Sequence, residues 1–253
     1  MLLIHGAWQG AWSFGAWIPE LAQRGWHAEA VDLPGNGCDA ADRTSRSEVS
    51  LQRYVDHVRG LIERRTGQVV LVGHSGGGLT ATAVAEAIPE RVAAIVYLAG
   101  MMLPSGMAYA DLVRQCEAEQ PDVDMSGGAS SLRETEDGLG CSIDAQSAAR
   151  IFLHDAPREA ALQAVARFKP QAHASRKVAP TWMPERFGRV PRIYVEALQD
   201  RSIHPAVQRR MQELVPGALR VSLDCGHVPQ FVQPAASAQA VCDALLRVGT
   251  PHH

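Results

Sequence analysis

The chain has 253 residues, 46% of them hydrophobic and 20% charged, with a formal net charge of −3. These values fit one large soluble domain, or one domain with an insertion, and exclude an intrinsically disordered chain. The slight acidic balance gives no electrostatic reason to expect nucleic acid or an anionic membrane as partner, and no run reaches the roughly 18 apolar residues of a membrane span.

Met1 is followed at once by Leu-Leu-Ile-His-Gly, too short and uncharged for a signal peptide, which makes the cytoplasm the expected location. Leu2 to His5 is the first predicted strand, and it runs into Gly6-Ala7-Trp8-Gln9-Gly10-Ala11-Trp12, a small-residue and aromatic loop that lets backbone approach a ligand. A helix is predicted over Ala16 to Arg24, a second strand over Ala28 to Leu33, and a turn at Pro34-Gly35-Asn36-Gly37. Arg43 to Ser50 reads as loop. Leu51 to Arg65 sets Tyr54, Val55, Val58, Leu61 and Ile62 on one face of an amphipathic helix.

Val69 to Thr80 reads Val-Val-Leu-Val-Gly-His-Ser-Gly-Gly-Gly-Leu-Thr: an apolar strand, a glycine-rich turn, then a helix. In Gly73-His74-Ser75-Gly76-Gly77 the serine needs neighbours without side chains, because backbone passes close on both sides of such a strained turn. The hydroxyl is then presented at a helix N-terminus. A capping serine on a strand-helix connection is the plainer alternative. Arg91 to Ala99 supplies a fourth strand, and the strand-helix rhythm predicts parallel pairing with ligands at the carboxyl ends of the strands.

After Gly100 the rhythm breaks. Residues 101–188 show no parallel-type strand and read as helical pieces near Met107 to Ala118, Ala145 to His154 and Arg158 to Phe168. This segment is expected to lie over the strand ends as a helical cap or lid, leaving residues 1–100 and 189–253 as the core. Its methionines and bulky apolar side chains offer an adaptable pocket, although packing onto the sheet is the alternative for any single one. The expected pocket residues are Trp8, His74, Met102, Phe152, Trp182 and Val228. The sheet pattern resumes with a strand over Arg192 to Leu198, a helix over Pro205 to Val215, a strand over Leu219 to Leu223 and a last helix over Pro234 to Val248.

Five cysteines (Cys38, Cys116, Cys141, Cys225, Cys242), odd in number and without metal-type spacing, predict free thiols and no metal site. His252 and His253 read either as native or as a tag remnant. A serine nucleophile needs a base within reach and an acid to orient that base. Asp200 follows the fifth strand and His227 the sixth, giving the chain order Ser75, Asp200, His227. Asp224 is the second choice of acid and Asp32 the third. His5 reads as structural; His154, His173 and His204 read as surface residues.

Taken together, His5-Gly6-Ala7-Trp8, Asp32-Leu33-Pro34-Gly35-Asn36-Gly37, Gly73-His74-Ser75-Gly76-Gly77, Asp200-Arg201-Ser202-Ile203 and Gly226-His227 resemble the α/β-hydrolase superfamily. More narrowly they resemble its small capped branch of plant methylesterases, hydroxynitrile lyases and bacterial esterases, including pyrethroid-hydrolysing ones. The resemblance implies an α/β-hydrolase fold with a mostly parallel six-stranded sheet, backbone N–H groups of Ala7 and Gly76 as an oxyanion hole, acylation of Ser75, Asp200 holding His227, a helical cap and no cofactor. Hydroxynitrile lyases of this branch carry a lysine after the histidine, where this chain has Val228, and use a threonine in the first loop, which Gly6-Ala7 does not offer. Cyanohydrin cleavage is therefore disfavoured.

The leading expectation is a serine carboxylic-ester hydrolase acting on a small to medium hydrophobic ester, as a monomer or homodimer. The alternatives are a lactone, amide or carbon-carbon bond hydrolase on the same residues, or a ligand-binding receptor on this scaffold.

Overall fold

Six short apolar segments pair into one parallel sheet in the computed structural model, which describes residues 1–37, 39 and 41–250. In chain order the elements are β1 (Leu2–Ile4), α1 (Trp17–Gln23), β2 (Glu29–Val31), α2 (Leu51–Glu63), β3 (Val69–His74), α3 (Gly77–Ala87) and β4 (Val92–Leu98). There follow α4 (Tyr109–Glu119), β5 (Leu132–Glu134), β6 (Gly140–Ile143), α5 (Ala145–Phe152), α6 (Arg158–Val165), β7 (Gln171–Ala172) and α7 (His173–Arg176). The chain closes with β8 (Arg192–Ala197), α8 (Pro205–Leu214), β9 (Ala218–Leu223), α9 (Pro229–Val232) and α10 (Pro234–Arg247).

The sheet order is β2-β1-β3-β4-β8-β9, and every pairing in it is parallel. All six residues of β3 are buried, as a central parallel strand covered on both faces requires. Alternation assigns the two faces. Leu2, Ile4, Leu71, Tyr97 and Tyr194 pack against Tyr54, Val58 and Ile62 of α2, Leu79 and Val84 of α3, and Val207 and Met211 of α8. Leu3, Val72, Val96 and Val195 point the other way, onto Trp17 and Leu21 of α1 and Val241 and Leu245 of α10. Helix α2 begins where the Ser50 side chain accepts the Arg53 amide, and its apolar stripe is the one the sequence spacing predicts.

Register then places the loops. Ile4 lies opposite Gly73, so the loop after β1 emerges beside the turn after β3. Ala197 lies opposite Leu223, so the loops after β8 and β9 leave the sheet side by side. Between β4 and β8 the chain leaves the sheet. This stretch was expected to be helical and is mixed: alongside α4 to α7 it forms a second, antiparallel sheet in the order β5-β6-β7. The three strands have three, four and two residues, too short for a period-two pattern to show. Cys116, Cys141, Cys225 and Cys242 are free and buried; Cys38 lies outside the described residues.

Candidate active site

Strand β3 ends at His74, and the next residue, Ser75, has a φ of 51°. That left-handed conformation costs a residue with a side chain about 1 kcal/mol or more, so the surroundings must hold it. They do so through backbone. The Ser75 amide donates to the Leu98 carbonyl at 3.3 Å, and its own carbonyl accepts from Gly78 at 3.1 Å and Met101 at 2.9 Å. The glycines around it are a matter of space: a Cβ on Gly73 would stand 2.7 Å from the Gly78 Cα, and one on Gly6 would stand 2.7 Å from the Ser75 Cβ. Ser75 therefore sits at the N-terminus of α3 with the first loop pressed against it. Among the described residues its hydroxyl makes no hydrogen bond to protein.

Ala7 and Gly76 run side by side here, a Cβ on Gly76 falling 3.8 Å from the Ala7 nitrogen. Among the described residues neither amide donates to a protein acceptor, which leaves two N–H groups unspent beside the serine. The next residue, Trp8, is also left-handed, with φ 62°. It is tied down at three points: its amide donates to Gln171 Oε1 at 3.1 Å, its indole N–H to the Cys141 carbonyl at 3.0 Å, and its carbonyl accepts from Lys169 at 2.9 Å.

Asp200 and His227 meet across the paired β8 and β9 loops. His227 Nδ1 lies 2.8 Å from Asp200 Oδ2, and both side chains are almost wholly buried. Asp200 Oδ1 accepts the amides of Ser202 at 2.7 Å and Ile203 at 2.9 Å, and Gln208 Nε2 approaches Oδ2 at 3.3 Å. With Nδ1 spent on Asp200, the ring is held in one orientation and Nε2 is the nitrogen left for other partners. The rival acid Asp224 is exposed and accepts from Gln199 Nε2 at 2.7 Å. Asp32 accepts the Ala11 amide at 2.6 Å and so serves the first loop.

The two halves are joined by His74. Its Nε2 donates to the His227 carbonyl at 2.9 Å, and the two rings stand 4.9 Å apart. Burial, and then the neighbouring His227, hold His74 well below the ordinary histidine range, so it is a neutral ring. His5 is neutral for the same first reason, burial, and bridges the Gly6 carbonyl and the Leu33 amide. The structure thus joins Asp200 to His227 directly and, through His74, ties the His227 loop to the residue that precedes Ser75.

Ser75, Ala7, Gly76 and Trp8 open onto a cavity of about 290 Å³, which reaches from the strand ends up into the β4–β8 insertion. Of the six expected pocket residues, Trp8 and Phe152 line it. His74, Met102, Trp182 and Val228 do not. His74 is fully buried behind the serine, and Val228 packs in the cluster of Trp8 and Phe152. Met102 points into the core while its neighbour Met101 lines the cavity. Trp182 lies tilted against Phe187, ring centroids 4.9 Å apart, and donates to the Leu103 carbonyl at 3.0 Å. Bulk alone marks these side chains as buried and says nothing of what they face.

Sequence reasoning missed the residues that tie the insertion to the site. His154 Nε2 donates to the Gln199 carbonyl at 2.9 Å and the Asp155 carboxylate accepts the Gly226 amide at 2.6 Å. It also missed a buried polar network on the cavity wall, in which Gln171 Nε2 donates to Tyr54 Oη at 3.2 Å and Ser175 Oγ at 2.6 Å. No local pattern announces contacts across such sequence distances. Among the described residues no group of His, Cys, Asp or Glu side chains is placed to hold a metal ion, and no helix is long and apolar enough to cross a membrane.

Comparison with known proteins places the chain in a family. Residues 1–240 match the model of the alpha/beta hydrolase family. A pyrethroid hydrolase of Sphingobium wenxiniae is 31% identical over 96% of this chain and 86% of its own, and methylesterase 17 of Arabidopsis thaliana is 26% identical over 98% and 92%. The crystal structure of a pyrethroid hydrolase from Sphingobium faniae superposes with a TM-score of 0.82 at 27% identity, covering 99% of this chain and 97% of that one. Polyneuridine aldehyde esterase, 22% identical with a TM-score of 0.79 over 98% of each chain, shares the fold.

Proposed function

The chain belongs to the alpha/beta hydrolase family, and from that premise we propose that it is a serine carboxylic-ester hydrolase working through Ser75, His227 and Asp200. On this reading His227 takes the Ser75 proton as the oxygen attacks the ester carbonyl, then returns it to the leaving alcohol. The amides of Ala7 and Gly76 receive the negative charge that develops on the carbonyl oxygen, a single such donor being worth ~3 kcal/mol in the transition state. Water then attacks the acyl-enzyme by the same route. Asp200 holds the imidazolium and fixes its tautomer. No cofactor takes part.

The observation that carries the proposal is the buried 2.8 Å contact of His227 with Asp200, set beside a left-handed Ser75 that faces a cavity. The buried Asp200, and not Asp224, is therefore assigned as the acid. Residues 1–100 and 189–253 act as the catalytic core and 101–188 as a cap. The substrate is a small to medium ester with a hydrophobic part, in keeping with Leu33, Leu79, Ile143 and Phe152 along the cavity wall. The names of the relatives, pyrethroid hydrolase and methylesterase, support ester cleavage.

The test is hydrolysis of aryl and alkyl esters, with acyl parts from acetate to long and branched acids, by wild type and Ser75→Ala side by side. Turnover in the wild type that vanishes in the variant supports the proposal. Equal turnover in both, or none with any ester, contradicts it.

A further inference from the structure

The cavity above Ser75 has one end that ester cleavage does not use. The charged side chains lining it are Arg176 and Lys177, consecutive at the end of α7, and no aspartate or glutamate lines it among the described residues. The neutral polar groups around that end are already engaged. Gln171 spends its oxygen on the Trp8 amide and its nitrogen on Tyr54 and Ser175; Tyr54 donates to Asn36 at 3.2 Å; Ser175 donates to the Ala172 carbonyl at 3.0 Å. Arg176 is engaged only in part. Its guanidinium reaches the buried Cys141 thiol; among the described residues its Nε is shut away from solvent and cavity alike without a partner, and no carboxylate stands within ion-pair distance of it. The nearby Glu134 gives its carboxylate oxygen to His173 at 2.6 Å instead.

A half-buried guanidinium on a cavity wall that holds no carboxylate favours an anion entering beside it, and a planar fork of donors fits a carboxylate. Apolar walls lower the local dielectric and strengthen such a pairing. We infer that Arg176 is an anion-recognising residue and that the preferred substrate is an ester carrying a second, ionised carboxylate: a half-ester of a dicarboxylic acid, with its ester carbonyl at Ser75 and its free carboxylate at Arg176. Lys177 adds charge at the same end. The substrate class rests on the ester-hydrolase reading above; the anion site does not.

The experiment compares monobenzyl glutarate and monobenzyl adipate with benzyl pentanoate and benzyl hexanoate, which have the same chains without the charge, by benzyl alcohol release. Wild type is expected to favour a charged ester over its neutral match by about tenfold or more in kcat/KM, mostly through KM. Arg176→Gln is expected to lower kcat/KM for the charged ester at least tenfold further than for the neutral one, and Arg176→Lys to keep part of the preference. A wild type that favours the neutral ester at both lengths overturns the proposal, as does an Arg176→Gln variant that loses both activities by the same factor. Calorimetric binding of glutarate and adipate separates this failure from failure of the ester reading. If no ester is cleaved, dicarboxylate binding that Arg176→Gln weakens tenfold still upholds the anion site, and absence of binding removes it.

Discussion

The Asp155 carboxylate accepts the backbone N–H of Gly226 at 2.6 Å, one residue before His227. Its neighbour His154 grips the Gln199 carbonyl, one residue before Asp200. Two consecutive residues of the insertion thus hold both loops that carry His227 and Asp200. The fit is close: a Cβ on Gly226 would stand 2.6 Å from Asp155 Oδ1.

Removing this clip should loosen the base without unfolding the core. Asp155→Ala is expected to lose about 1–3 kcal/mol, the usual cost of stranding a buried donor, and to lower kcat more than KM because the substrate does not touch Asp155. Steady-state kinetics and a denaturant titration read both effects. Unchanged kcat in a destabilised variant would make the clip purely structural.

The two candidate acids are separated by their surroundings. Asp200→Asn should reduce kcat by roughly 10²-fold or more, because an amide disturbs the histidine tautomer. Asp224→Asn loses one exposed bond to Gln199 and should stay within a few-fold of wild type. The reverse order would identify Asp224 as the acid.

Gly6 leaves no room for a methyl group against Ser75. Gly6→Ala should push the first loop, and with it the Ala7 amide, away from the serine, lowering kcat by about 10²-fold. Gly67, past the end of α2, is left-handed with open space around it. Gly67→Ala should cost on the order of 1 kcal/mol from backbone strain and leave kcat unchanged. Equal effects on activity would remove the argument from close approach.

Stability should fall with acid below about pH 6.5. His5 and His74 are buried and held neutral below their ordinary range, chiefly by burial. Once the pH drops under the unfolded value, the unfolded chain takes up protons that these folded rings do not, and the balance shifts toward unfolding. Each ring contributes up to about 1.4 kcal/mol per pH unit in that window, with full stability above it. Urea midpoints at pH 7.5 and 5.5 should differ accordingly; identical midpoints would mean that the rings charge in the folded state.

Much of this fold is legible in the sequence because central parallel strands are continuous apolar runs: β3 and β4 announce themselves, as does the glycine-flanked Ser75. Pocket lining is harder to read. Whether Met101 or Met102 faces the ligand depends on the turn after β4, where Ala99 is left-handed at φ 42°, and no periodicity encodes that. Arg176 ends a four-residue helix after a two-residue strand, with too little pattern on either side to fix its direction. Asp155 and Gly226 are 71 residues apart, and only the folded loops bring them together.

The central claim is that Ser75 forms a covalent acyl intermediate. Rapid quenching of the protein during turnover of an activated aryl ester, followed by intact mass measurement and peptide mapping, tests it directly. One acyl group per chain on the peptide containing Ser75, absent from Ser75→Ala and persisting longer in His227→Ala if it forms there at all, is the expected result. Turnover without any acylated species on that peptide, or acylation on another residue that survives Ser75→Ala, would contradict the account.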